Sequence, residues 1–79
     1  MNPRVKSVEP IKDYLLEIVF NNDEKKVFDL KPYLDFGLFS ELKDLALFQT
    51  AKAELGTVIW NNGLDICPDT LYLDSKKLD

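Results

Sequence analysis

The stretch Thr57-Val58-Ile59-Trp60-Asn61-Asn62-Gly63-Leu64-Asp65-Ile66-Cys67-Pro68-Asp69-Thr70-Leu71-Tyr72 decides the fold class. Thr57–Trp60 is β-branched and aromatic, the composition of a strand. Asn62-Gly63 is the pair that favours a type I′ hairpin turn, so Leu64-Asp65-Ile66 is expected to return as a second strand. Pro68 then suits the first position of a helix, and Asp69 complements the positive end of its dipole. A hairpin running straight into a short helix predicts an α+β domain.

Working toward the N-terminus, the period changes twice. Lys52-Ala53-Glu54-Leu55 leads through Gly56 into the strand just described. Before it, Leu38, Leu42 and Leu45 recur at helical spacing with Leu47-Phe48 extending the stripe, and Ser40 and Asp44 are candidate N-caps. Two short helices, or one broken helix, are expected there. Pro32-Tyr33-Leu34-Asp35 predicts a single helical turn closed at Gly37.

The first third alternates with period two. Tyr14, Leu16, Ile18 and Phe20 share one parity, as do Lys26, Phe28 and Leu30, while Asn21-Asn22-Asp23-Glu24 has turn chemistry. Residues 13–30 therefore predict a β-hairpin, with Arg4–Glu9 paired against it and stopped by Pro10. The tail from 74 to 79 is expected to fray. The whole reads as one domain, residues 1–79: a small antiparallel sheet built from hairpins, with two or three short helices against it.

Composition excludes several chemistries. The chain has 79 residues, one cysteine, no histidine and a formal charge of −4. A histidine general base, a histidine triad and a histidine-held metal are impossible, and Cys67 has no partner for an internal disulfide. Gly37, Gly56 and Gly63 are isolated from one another, so no phosphate loop is present. An acidic chain without aromatics interleaved among its basic residues is not expected to bind nucleic acid. No apolar run approaches the 18 residues of a spanning helix, and no signal segment opens the chain, so a cytoplasmic, non-membrane protein is expected.

Three features could carry chemistry or binding. Asp65 and Asp69 flank the turn into the last helix and could hold a hard cation through oxygen; a solvated strand position and a helix-dipole partner are the simpler roles. Cys67 is expected to be a packed, inert thiol. Trp60 is either a core anchor with one edge exposed or an interface residue. Turn and helix-start residues project from a scaffold, which makes Trp60, Asn62, Asp65, Asp69 and Tyr72 the candidate binding residues. No catalytic residue, cofactor or metal site is assigned.

These residues together resemble a known family. Val5-Lys6-Ser7-Val8-Glu9-Pro10, Asp13-Tyr14, Val27-Phe28-Asp29-Leu30 with Pro32 and Leu34, and the run from Trp60 to Tyr72 are similar to the small bacterial family known as domain of unknown function 2442. The likeness covers about residues 4–73. Asn61 stands where the family often has proline, Cys67 where it often has an acid, and the first turn lacks the common glycine.

The resemblance implies an α+β fold and no established enzyme activity. It also implies relatives fused to helix-turn-helix modules, and neighbouring small genes arranged like toxin–antitoxin pairs. With 79 residues and no such module, a DNA-binding role would fall to a partner. The expected function is a non-catalytic interaction module that self-associates, as a homodimer, or pairs with a small partner protein. An antitoxin-like or regulatory component of a two-gene module, and a carboxylate-based metal-binding protein or hydrolase, are the alternatives.

Overall fold

The structure is a computed structural model that describes residues 2–78. Its element order is β1 Val5–Ile11, β2 Leu15–Phe20, β3 Lys25–Asp29, α1 Leu45–Phe48, β4 Lys52–Glu54, β5 Thr57–Ile59, β6 Asp65–Ile66, α2 Pro68–Asp74 and β7 Lys76–Lys77, with 3₁₀ turns at Lys12–Tyr14, Lys31–Tyr33 and Gly37–Lys43. The α+β class stands, with one refinement. The strands form two antiparallel sheets, a four-stranded one in the order β1-β2-β3-β7 and a three-stranded one in the order β4-β5-β6.

The expected first hairpin is present, with β1 alongside it. Leu16, Ile18 and Phe20 of β2 and Phe28 of β3 turn inward and are buried, while Leu15, Glu17, Val19 and Val27 stay half-buried on the other face. Pro10 does not stop β1, which runs on to Ile11. The strand lies at the sheet edge, where a missing N–H on the outer side costs no ladder bond. Tyr14 leaves β2 for the turn before it: Asp13 and Tyr14 have φ of 64° and 60°.

The middle helices keep their number and lose their stripe. Asp44 caps α1 as expected, its carboxylate accepting the Ala46 N–H at 3.1 Å. Ser40 caps nothing; its hydroxyl donates to the Gly37 carbonyl at 2.8 Å. Gly37–Lys43 winds as a 3₁₀ helix, whose three-residue repeat turns Phe39 and Leu42 inward together. Leu38 is thereby left exposed; Leu45, which opens α1 beyond the extended Asp44, is exposed as well, while Leu42 and Phe48 are buried.

The two asparagine turns are near copies. In each, the third loop residue donates back to the residue before the loop (Asp23 N–H to Phe20, 2.8 Å; Gly63 N–H to Trp60, 2.9 Å). In each, the second asparagine Oδ1 accepts a backbone N–H two residues on (Glu24 and Leu64, both 3.1 Å). Positive φ falls only on Asp23 and Gly63, so these are type I turns closed by a bulge, and Asn62-Gly63 does not form the expected type I′ turn. That geometry appears instead at Leu55-Gly56, where both φ values are positive, 54° and 80°, and Glu54 pairs with Thr57.

The two sheets meet where β1 begins. The Val5 N–H donates to the Gly56 carbonyl at 2.9 Å and the Arg4 guanidinium to the Leu55 carbonyl at 3.2 Å. One core cluster joins them, with Phe20, Phe28, Phe48, Val58, Trp60 and Leu71 among its buried members. The tail, expected to fray, instead adds β7 to the four-stranded sheet, with Lys76 opposite Val27 and Lys77 opposite Lys26; Asp79 lies outside the described residues.

Candidate functional site

The five candidate binding residues do not converge. Trp60 is 1% exposed, its indole N–H donating to the Phe48 carbonyl at 3.0 Å, so it presents no edge to a partner. Asn62 is exposed and donates to Glu41 Oε1 at 3.2 Å. Asp65 is exposed on β6 opposite Ile59. Asp69, in the first turn of α2, accepts from Asn2 Nδ2 at 3.3 Å. Tyr72 is half-buried and faces Glu24 and Lys26. Cys67, expected to be packed, is exposed, because it precedes Pro68 at the helix entry and its side chain caps nothing. Among the described residues no three carboxylate or thiol groups converge on a point that could hold a metal ion.

Tyr72 belongs to a polar cluster built across the four-stranded sheet. Lys26 lies on the core parity of β3 and is 9% exposed, yet its ammonium is satisfied: it donates to the Tyr72 carbonyl at 2.6 Å and sits 3.9 Å from the centre of the Tyr72 ring. The Tyr72 hydroxyl donates to Glu24 Oε1 at 2.6 Å, as does Asn22 Nδ2, and Lys77 pairs with Glu24 at 3.7 Å. The tyrosine hydrogen bond, then Asn22 and the lysines, hold the Glu24 carboxyl below its ordinary value, against a smaller opposing effect of burial. The same bond, with burial and the Glu24 charge, pushes the Tyr72 phenol up. Every group here has its partner inside the chain, which is the arrangement of a clasp.

The other face of the same sheet is different. Register places Ile11, Leu15 and Asp29 in one row, Glu9, Glu17, Val27 and Lys76 in the next, and Ser7, Val19 and Lys25 in the third. Every one of these side chains is half-buried or exposed, and none of the four apolar ones packs on the core. Ile11 stands opposite Leu15, and Leu15, Val27 and Val19 follow as diagonal neighbours around Glu17, within side-chain reach. An antiparallel sheet commonly leaves one face to water, but such a face is normally polar. A cleft of about 270 Å³ indents it, lined by Leu15, Val27, Asp29, Asp74 and Lys76. Asp29 is paired with Lys31 at 3.1 Å, and Asp74 accepts from the Tyr33 hydroxyl at 3.3 Å.

Two other surfaces are weaker candidates. The short edge strands β6 and β7 have two residues each, and β7 is Lys76-Lys77, the devices that blunt pairing with another strand. Phe36, Leu38 and Leu45 are more than half exposed, but the extended Asp44 separates the 3₁₀ helix that carries Leu38 from α1, which Leu45 opens. The sheet face is contiguous by strand register. Its signal was present in the sequence, since Leu15, Val19 and Val27 occupy the parity opposite to the buried set.

No helix of the described residues is long and apolar enough to cross a membrane. No curated protein and no solved structure matches the chain. A family profile described as "Protein of unknown function (DUF2442)" matches residues 5–77, from the first strand to the last. The chain is a member of the DUF2442 family.

Proposed function

We propose that the protein is a non-catalytic interaction module that binds another protein chain through the uncovered face of its four-stranded sheet. One observation carries the reading: Ile11, Leu15, Val19 and Val27 form a contiguous apolar group on a face that no second layer covers. Apolar area left on a surface in this way is the usual mark of a contact site. Supporting it, the charged groups of the Tyr72 cluster are consumed internally, and the two carboxylates lining the cleft are already engaged. That leaves a surface with shape and apolar area and without an activated nucleophile or a free acid–base pair.

The test is comparative affinity purification from the native cell. Tagged wild type and a Phe36→Ser control retain the same protein, whether a partner or an untagged copy, and Leu15→Glu/Val27→Glu loses it. Equal recovery by all three baits would remove the sheet face as the contact.

A further inference from the structure

Glu9 and Glu17 are directly opposite one another on β1 and β2, a like-charge pairing that costs stability. Among the described residues neither carboxylate forms an ion pair, and neither do Lys25 and Lys76 on the same face. The central row runs Glu9, Glu17, Val27, Lys76 from one edge to the other. It is acidic at one end, apolar toward the middle and basic at the far end.

A row of that kind is complementary to its own reverse. A two-fold axis parallel to the strands, passing between β2 and β3, turns the row over onto itself. Glu9 then meets Lys76 of the second copy, Lys76 meets its Glu9, and Glu17 comes to rest over the second Val27, one row from the second Lys25. Sheets stacked face to face lie about 10 Å apart, a gap that glutamate and lysine side chains span. Resting on the proposed use of this face, we infer that its occupant is a second copy, held in an isologous dimer by Glu9–Lys76 and Glu17–Lys25 pairs, with the two Val27 side chains flanking the axis and Leu15 and Val19 lying over the second copy's Asp29 and Lys25. The face is modest in size, so the dimer forms at micromolar rather than nanomolar concentration. The same pairing relieves the Glu9–Glu17 repulsion, which no ion pair among the described residues relieves.

Sedimentation equilibrium of the full chain across roughly 10–1,000 µM, the range in which a small interface dissociates, tests this. Glu9→Lys and Lys76→Glu each weaken dimerisation by about tenfold, because each turns two attractive contacts repulsive. The exchanged variant Glu9→Lys/Lys76→Glu restores it. Thermal melts of every variant confirm folding, and at dilutions where both are monomeric Glu9→Lys alone melts no lower than wild type because it removes the internal repulsion. A wild type that stays monomeric throughout overturns the dimer. A dimer lost in Val27→Glu but indifferent to all three charge variants overturns the charge register and leaves the use of the face standing. A dimer that survives Val27→Glu overturns both.

Discussion

Lys26 and Tyr72 are bonded twice, by the lysine ammonium 3.9 Å above the tyrosine ring and by its 2.6 Å hydrogen bond to the carbonyl of the same residue. The two residues are 46 positions apart in the chain. This contact ties α2 to β3 and explains how a lysine on the core parity of a strand is tolerated. Its aliphatic stem packs inward while its charge finds an acceptor and a π face. Lys26→Met keeps the stem and removes both contacts. It is expected to cost about 2 kcal/mol in urea unfolding, the sum of a charged hydrogen bond and a partly desolvated cation–π contact.

The bond between Tyr72 and Glu24 makes stability depend on pH at both ends. The Glu24 carboxyl is held below its ordinary value of 4.5, chiefly by the Tyr72 hydroxyl. Its contribution is therefore complete above that value and is lost as pH falls through the lower folded value. The Tyr72 phenol is raised above 10.0, chiefly by Glu24, so its contribution holds below pH 10 and is lost as pH rises through the folded value. Tyr72→Phe should melt lower than wild type near neutrality, with the difference shrinking below about pH 4 and above about pH 10. Melting temperature against pH for both proteins checks this; a constant difference across the range would contradict it.

The turn at Leu55-Gly56 carries removable strain. Leu55 has φ of 54°, is 84% exposed, and gains no packing in return. A left-handed conformation costs an ordinary side chain about 1–2 kcal/mol, and asparagine before glycine is the preferred type I′ pair. Leu55→Asn should stabilise by about 1 kcal/mol, raising the melting temperature by roughly 4–8 °C.

Gly56 and Gly63 separate strain from crowding. Their φ values are similar, 80° and 86°, but a Cβ on Gly56 would lie 2.5 Å from Arg4 Nε and 3.1 Å from Arg4 Cβ, while one on Gly63 meets nothing within 4 Å. Gly63→Ala is expected to cost about 1 kcal/mol from conformation alone. Gly56→Ala should cost more, because Arg4 Nε can swing away but Arg4 Cβ is held by the backbone, whose carbonyl accepts the Asn21 N–H at 2.8 Å. Denaturant midpoints of the two variants, side by side, measure the difference.

Local physics made parts of the fold legible and left others hidden. The β2–β3 hairpin follows from the alternation of Leu16, Ile18, Phe20 and Phe28, and α2 from Pro68 and Asp69, because each signal lies within one element. The junction of the two sheets depends on Val5 bonding to Gly56, and the fourth strand on β7 returning to β3, contacts that no local pattern encodes. The helical spacing of Leu38, Leu42 and Leu45 does not yield one stripe, because Leu38 and Leu42 sit in a 3₁₀ helix and Leu45 in an α-helix beyond a break at Asp44.

The site was less legible than the fold. Trp60 and Tyr72 were singled out for their side chains, yet one is buried and the other is clasped by Lys26 and Glu24. The outward parity of Leu15, Val19 and Val27 was visible, but that no layer covers it emerges only from the assembled chain.

Self-association through the sheet face is tested most sharply by a dilution series of amide NMR spectra. Concentration-dependent shifts are expected to concentrate on Glu9, Leu15, Glu17, Val19, Val27 and Lys76, leaving Phe36, Leu38 and Leu45 unmoved. Shifts confined to residues 36–45, or none at any concentration, would contradict it.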